Sequence, residues 1–152
     1  MRYLTGFDCI GKVQGEGLNT FPVAATTTIV KGDAIFSSSG YAVTGTAFST
    51  LFLGIAAESV DNSTGVAGDL NVQVTSPVAG LKFSVPVEAD ELIDQGDVGK
   101  LVDLQSADGI DLADATVVGY GFQILDFDAS TEAVAVATYG YAIGRFVSCN
   151  IA

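Results

Sequence analysis

The stretch Leu51-Phe52-Leu53-Gly54-Ile55-Ala56-Ala57 decides the fold class of this chain, because a short, uninterrupted apolar run is typical of a strand buried on both faces. A second segment, Leu70-Asn71-Val72-Gln73-Val74-Thr75, alternates apolar and polar residues with a period of two. Since successive side chains of a strand point to opposite faces, this alternation predicts a half-buried strand. Both segments indicate β-structure near the middle of the sequence.

Further short strands are predicted on both sides of this pair. They cover residues 26–30, 34–36, 41–43, 100–104, 121–125, 132–138 and 143–151. Turn residues interrupt the chain at the spacing of a barrel or sandwich. The one helical candidate is residues 87–93, where acidic residues follow Pro86. We therefore expect an all-β fold, a small barrel with at most one short helix.

The first twenty-two residues differ from the rest of the chain. Glycines recur there, Pro22 closes the segment, and no helical or strand period is present. We interpret residues 1–22 as an N-terminal arm that orders against a partner, and residues 23–152 as the barrel domain. The alternative is that residues 1–22 form a first edge strand with loops.

The composition excludes several classes of function. The chain has 6 Lys and Arg against 18 Asp and Glu, a net charge of −12, and no histidine. So acidic a surface repels phosphate and argues against nucleic-acid binding. Without histidine, neither a Ser-His or Cys-His nucleophile pair nor an imidazole zinc site can form. Since only 16% of residues are charged and 49% are hydrophobic, we expect an oligomer or a larger assembly.

The acidic residues are unevenly distributed. Between Lys100 and Arg145 there is no basic residue, but there are seven acidic ones. If the chain folds as one barrel, this part of its surface is anionic and faces solvent or a basic partner. An ordinary role in solubility explains the same feature.

Targeting features favour synthesis and retention in a cytoplasm. Asp8 interrupts the N-terminus too early for the apolar core of a secretory signal. The uncharged residues 34–57 contain polar turns, which favour two buried strands over a membrane span. Cys9 and Cys149 are expected as packed thiols, with a disulfide as the alternative. Asn62-Ser63-Thr64 matches a glycosylation sequon but is interpreted as a polar turn.

One acidic segment is a weak calcium candidate. Asp126, Asp128 and Glu132 place carboxylates in a spacing that begins like a calcium loop. Thr131 and Ala137, however, occupy the positions at which an EF-hand needs Gly and Glu. A solvated hairpin turn is the preferred interpretation, and we expect no cofactor and no catalytic residue. A hydrolase with two paired carboxylates remains a third class, to be judged by whether two buried acids face each other across a cleft.

The order of motifs resembles the capsid decoration, or cement, proteins of tailed bacteriophages, the head-decoration proteins. The resemblance spans residues 26–150 and depends on turns and strands at matching intervals. They are Lys31-Gly32-Asp33-Ala34-Ile35, Leu53-Gly54-Ile55-Ala56, Ala67-Gly68-Asp69-Leu70-Asn71-Val72-Gln73-Val74, Gln95-Gly96-Asp97-Val98 and Ala133-Val134-Ala135-Val136. The chain is longer than the smallest members of that family, and the acidic segment 126–132 has no counterpart role.

The resemblance implies a β-tulip-like or barrel fold and a homotrimer on the capsid exterior. It also implies that the N-terminal arm docks on the major capsid protein, with Arg2, Tyr3, Phe7, Lys12 and Phe21 as its partner-binding residues. The expected function is that of a virion structural protein, made in the host cytoplasm, that stabilises the capsid and is not an enzyme. Its partner is the major capsid protein, and neither nucleic acid nor membrane is expected. The alternative is a head-fibre or adhesin module that recognises host carbohydrate, with calcium at Asp126, Asp128 and Glu132.

Overall fold

A computed structural model describes residues 6–10, 18–77, 81–89, 92–129 and 139–148. Thirteen strands form in these ranges: β1 (Asp8–Ile10), β2 (Leu18–Pro22), β3 (Thr27–Ile29), β4 (Ala34–Ser38), β5 (Tyr41–Thr44), β6 (Phe52–Ala56), β7 (Val60–Asn62), β8 (Asn71–Thr75), β9 (Lys82–Ala89), β10 (Leu101–Ser106), β11 (Gly109–Asp111), β12 (Tyr120–Asp128) and β13 (Tyr141–Ser148). The one helical element in the same ranges is the 3-10 turn Gln95–Asp97. The all-β prediction is therefore confirmed.

The last five strands form a closed ring. Their order is β9-β11-β10-β12-β13, and β13 pairs back onto β9. The pairs are antiparallel except β9 with β11, which run parallel. We call these strands the C-terminal ring. Closure matters because it leaves few unpaired strand edges.

A second set of five strands repeats this arrangement earlier in the chain. The order is β2-β8-β6-β4-β5, with every pair antiparallel. A parallel bridge between Val23 and Ala42 joins the two ends, and Ala24 N donates to Ala42 O at 3.1 Å. We call these strands the N-terminal ring. Strand order, orientation and the place of the one parallel pair are the same in both rings.

The sequence repeats where the two rings begin. Residues 22–33 and 86–97 share the pattern Pro-Val-x-Ala-x-x-x-Ile-x-x-Gly-Asp. The strand pairings give the same alignment independently. Pro22 and Pro86 each pair with an antiparallel neighbour, β8 and β13, and the valine that follows each proline forms the parallel pair of its ring. The short ribbon of β3 and β7 also has a counterpart, since Ile93 N donates to Tyr139 O at 3.0 Å. The Gly-Asp turns at residues 32–33 and 96–97 therefore occupy equivalent positions in a tandem structural repeat.

The Gly-Asp turns share one hydrogen-bond pattern. In each, an aspartate Oδ2 accepts from the backbone N–H three residues earlier, from Val30 to Asp33 at 2.9 Å and from Asp94 to Asp97 at 3.0 Å. The aspartate N–H donates back to the carbonyl of that same residue. The turn at Asp69 repeats both bonds with Val66. Each turn therefore satisfies its own backbone groups as it leads toward a strand.

Strands β4 and β6 of the N-terminal ring contribute side chains to both hydrophobic cores. Ala34 and Phe36 on β4 belong to the larger core, which also fills the C-terminal ring, whereas Ile35 between them belongs to the smaller core. Strand β6 divides in the same way, with Phe52 in the larger core and Ala56 in the smaller one. Within β6 the apolar run is therefore buried on both faces, as predicted, whereas Leu51, just before the strand, is 57% exposed.

Two sequence-based expectations need correction. The helix predicted over residues 87–93 is wrong, because Val87 and Glu88 belong to β9. The segment 1–22 was interpreted as an arm, but its described parts pair with the rings: β1 with β9, and β2 with β8. These parts match the alternative of an edge strand with loops. Residues 1–5 and 11–17 lie outside the described residues.

Candidate interaction surface

The two rings differ sharply in charge. Residues 18–77 contain one lysine against four acidic residues, whereas the described residues between 81 and 148 contain three basic against nine acidic residues. The acidic stretch predicted between Lys100 and Arg145 is therefore part of a wider property of the C-terminal ring. A surface of this sign repels other anionic surfaces and attracts basic ones.

Exposed apolar side chains show the opposite distribution. Seven large hydrophobic side chains in the described ranges are exposed, and five of them lie in residues 18–77. These five are Leu18, Val30, Leu51, Val66 and Leu70, and the other two are Leu92 and Val118. The ring with the fewest charges thus exposes most of the apolar groups, a composition that resembles the core of a protein–protein interface.

A rigid turn carries two of these apolar side chains. Val66, which is 67% exposed, and Leu70 lie at the ends of the Gly-Asp turn before β8. Backbone bonds clamp this turn to Val23, since Val23 N donates to Leu70 O at 2.9 Å and Gly68 N donates to Val23 O at 2.9 Å. We call residues 66–70 the apolar turn. Because the backbone is already fixed, a partner that covers the apolar turn has little ordering entropy to overcome.

A carboxyl cluster lies where the two rings meet. Ser106 Oγ is 2.6 Å from Glu88 Oε2 and 2.6 Å from Asp108 Oδ1. Ala34 N donates to Ala107 O at 2.7 Å, which joins this hairpin to the N-terminal ring beside Asp33. Burial raises the pKa of Glu88, and the charge of Asp108 adds to the rise. Burial and the same Asp108 charge raise the pKa of Asp33, against a bond from Val30 N.

The carboxyl cluster does not have the geometry of a glycosidase pair. Catalytic carboxyls flank the scissile bond at a separation of roughly 5 Å or more. Glu88 and Asp108 instead both contact the Ser106 hydroxyl group, each at 2.6 Å. The Ser106 hydroxyl therefore links β9 to the hairpin, and the arrangement gives no support to the hydrolase hypothesis.

Asp103 is a second buried carboxylate between the rings. Its Oδ1 accepts from Phe48 N and from Leu104 N, each at 2.7 Å. Burial raises its pKa, with smaller contributions from the charges of Asp114 and Asp111, against those two backbone bonds. Because Phe48 follows β5 and Asp103 lies on β10, the bond fixes the β5–β6 loop of one ring on a strand of the other.

Phe7, one of the predicted partner-binding residues, lies in the core. Phe7 is 4% exposed, and its ring contacts the rings of Phe83, Phe122 and Phe146. Phe7 N also donates to Gly32 O at 2.9 Å, which ties this core position to the N-terminal ring. We therefore no longer assign Phe7 to a partner surface. An aromatic residue in a glycine-rich segment gave no sign, in sequence, that it fills a barrel more than seventy residues away.

The other predicted partner-binding residues divide into two groups. Phe21 lies on β2, is partly buried, and packs against the smaller core. Arg2, Tyr3 and Lys12 lie outside the described residues. The exposed groups of the two rings are therefore the candidate partner surface.

The calcium candidate does not assemble among the described residues. Asp126 and Asp128 lie on the exposed end of β12, and Glu132 lies outside the described ranges. Asp126 Oδ1 accepts from Phe127 N at 2.8 Å, a local bond. Across residues 6–10, 18–77, 81–89, 92–129 and 139–148, no group of three or more His, Cys, Asp or Glu is placed to hold a metal ion.

Two smaller predictions concern individual side chains. Asn62, the first residue of the sequon, ends β7 just before a turn and is buried. Its Nδ2 donates to Ala24 O at 2.9 Å and to Val66 O at 3.1 Å, so the amide has a structural role. Cys9 lies on β1, and Cys149 lies outside the described residues, so their pairing stays a prediction.

Searches against known proteins add no family. The chain matches no protein-family model and no curated protein sequence. In the described part of the chain, no helix combines the length and apolar character needed to cross a bilayer.

Sequence reasoning missed the two features that define this surface. The difference in charge and exposed apolar side chains between the rings could not be predicted without the ring boundary near residue 80. The shared pattern at 22–33 and 86–97 was the signal available in the sequence. The exposure of Val66 and Leu70 had no signal in the sequence, since single apolar residues occur on protein surfaces as well as in cores.

Proposed function

We propose that this protein is a structural component of a bacteriophage virion, a homotrimer that decorates and stabilises the outside of the capsid by binding the major capsid protein. One observation carries the proposal: the exposed apolar side chains concentrate on the N-terminal ring, and the negative charge concentrates on the C-terminal ring. A protein fixed to a lattice needs one adhesive side and one side that faces solvent. The resemblance of the turn and strand order to capsid decoration proteins supports the same function.

The proposal assigns a role to each ring. The N-terminal ring, with its apolar turn, covers the shell and neighbouring subunits through many small contacts, and repetition over the lattice multiplies their effect. The C-terminal ring faces outward, where its charge keeps decorated particles apart. The long-range strand pairs that close each ring resist deformation of the shell.

The test uses expanded, undecorated shells assembled from the major capsid protein of the same genome. Purified protein is expected to sediment with the shells and to raise the temperature at which they disassemble. In solution, analytical ultracentrifugation is expected to give three times the chain mass. Folded protein that leaves the shells undecorated contradicts the proposal.

A matched pair of variants tests which ring adheres. Leu70 and Leu92 are similarly exposed, at 42% and 48%, but lie on opposite rings. Leu70→Ser is expected to weaken shell binding about tenfold, as the loss of one buried leucine predicts, and Leu92→Ser to leave it unchanged. Equal binding by both variants, or a loss confined to Leu92→Ser, contradicts the assignment of the N-terminal ring to the shell.

A further inference from the structure

We propose that the outer edge of β2, at Leu18 and Thr20, receives an antiparallel strand from the capsid lattice, in the way that β9 receives β1. The inference rests on the proposed function, because it names the element through which the shell is bound. It follows from the tandem repeat, which gives each edge of one ring an equivalent edge in the other.

The C-terminal ring shows how such an edge is covered. Strand β1 lies antiparallel on the first part of β9, with Asp8 opposite Ser84 and Ile10 opposite Lys82. It occupies the edge of β9 opposite β13, ahead of the parallel partner β11. The alignment of Pro22 with Pro86 makes Leu18–Thr20 the equivalent of Lys82–Ser84.

On β2, the backbone N–H groups equivalent to those that face β1 in the C-terminal ring point to the open edge. Val23 N donates toward β8, to Leu70 O, and Ala24 N donates toward β5, to Ala42 O. Because the N–H groups of an extended strand alternate between its two edges, Leu18 and Thr20 direct theirs to the β5 side. Strand β5 reaches that side at Val23. In the described ranges, no backbone partner meets Leu18 or Thr20 on this edge.

Among the described residues, this edge has none of the features by which proteins discourage strand addition. Such edges are normally protected by charged residues, bulges or a covering loop. Leu18, Asn19 and Thr20 carry no charge, and all three are exposed, Leu18 by 45%. The ladder between β2 and β8 runs without a register shift from Leu18 to Pro22. The edge is therefore straight and accessible, as strand addition requires.

The chemistry of the incoming strand follows from the differences between the rings. In the C-terminal ring, β1 brings Phe7 against Phe83, Phe122 and Phe146. The equivalent positions of the N-terminal ring hold Asn19, Gly54 and Ser76, and Asn19 Nδ2 donates to Ser76 Oγ. The partner strand therefore needs no aromatic residue at the position equivalent to Phe7, directly before the strand. We expect a small or polar side chain at that position. With a net charge of −12 on this chain, the partner strand is not acidic.

The experiment changes the backbone at Thr20. Thr20→Pro removes the N–H on the open edge and places the proline ring there, where an edge strand tolerates it. Thr20→Ala is the matched control, because it changes the side chain and keeps the N–H. Both variants are first compared with the intact protein by circular dichroism and thermal unfolding. Binding to expanded shells of the major capsid protein is then measured for all three.

We expect Thr20→Pro to remain folded and to bind shells about tenfold more weakly, while Thr20→Ala binds like the intact protein. In the intact complex, the amide of Thr20 is expected to become protected from hydrogen exchange. Equal binding by the proline variant, with an unprotected amide, overturns the strand-addition proposal and leaves the proposed function standing. Loss of trimers in Thr20→Pro identifies a second copy as the occupant and overturns the choice of the lattice. Failure of the intact protein to bind shells overturns both proposals.

Discussion

Asp33 and Asp97 occupy equivalent turns in the two rings, yet their pKa values move in opposite directions. Burial raises the pKa of Asp33, and the nearby carboxylate of Asp108 raises it further. Burial acts on Asp97 in the same direction, but bonds from Lys100 Nζ at 2.6 Å and from Asp94 N outweigh it, so the pKa of Asp97 is lowered. The same turn can therefore be an ion pair in one ring and part of a carboxyl cluster in the other.

The carboxyl cluster predicts a specific dependence of stability on pH. For Glu88 and Asp33, the pKa in the folded chain lies above the ordinary values of 4.5 and 3.8. Their contribution to stability is complete below those ordinary values and is lost as pH rises through the raised folded values. Glu88→Gln is therefore expected to raise the free energy of unfolding at pH 7, on the order of 0.5 kcal/mol for a partly exposed group.

Urea unfolding at pH 7 and pH 5 measures this effect. The glutamine variant is expected to lose part of the stability that the natural chain gains on acidification. Asp126→Asn, which removes an exposed carboxylate at the end of β12, controls for the change in net charge. A glutamine variant that is less stable than the natural chain at pH 7, with an unchanged pH dependence, contradicts the repulsion assigned to the cluster.

At the scale of the elements, β6 depends on one glycine. Gly54 has a φ of +137°, and a Cβ at this position would meet the Thr75 carbonyl oxygen of the neighbouring strand β8. Gly40 in the β4–β5 turn also has a positive φ, +87°, but a Cβ there would meet open space. Substitution at Gly40 measures the loss of stability from an unfavourable backbone conformation alone. Substitution at Gly54 adds the loss from displacing a neighbouring strand.

Alanine substitution at these two glycines tests the packing of the N-terminal ring. Gly40→Ala is expected to lower the free energy of unfolding by about 1 kcal/mol, from the backbone conformation alone. Gly54→Ala is expected to lower it by about 3 kcal/mol, because β6 has to move away from β8 as well. Chemical denaturation measures both, and equal losses would show that β6 and β8 separate without cost.

The strands were predictable where the pattern is local. β-Branched residues and alternation placed β3 and β8 within a residue or two of their bounds, and turn residues placed the β4–β5 hairpin. The end of β9, from Val87 onward, was predicted as the start of a helix because acidic residues follow Pro86. The proline is tolerated there because its position on β9 falls between the ladder to β1, which ends at Ser84, and the ladder to β11, which begins at Val87.

The closure of the rings and the surface of the molecule were not predictable from the same patterns. Ring closure depends on pairs such as Val23 with Ala42 and Ser84 with Ile143, which are distant in sequence and leave no local signal. The carboxyl cluster likewise joins Glu88 on β9 to the hairpin at Asp108. Composition predicted a protein that forms assemblies and has an anionic surface. Only the arrangement of the two rings assigns that surface to the C-terminal ring.

At the scale of the whole molecule, two rings with the same strand order have different surfaces. The C-terminal ring is filled by part of the larger core, is completed by β1, and carries most of the charge. The N-terminal ring keeps the same strand order but has an open edge at β2 and most of the exposed apolar side chains. One ring is thus completed within the chain, and the other is suited to completion by a partner.

The measurement that tests the central claim most directly is an electron cryomicroscopy map of expanded capsid shells incubated with this protein. The account predicts three copies around a local three-fold position, with the N-terminal ring and the apolar turn against the shell and the acidic C-terminal ring facing solvent. Shells without added density, or density in which the C-terminal ring contacts the shell and the apolar turn faces outward, would contradict it.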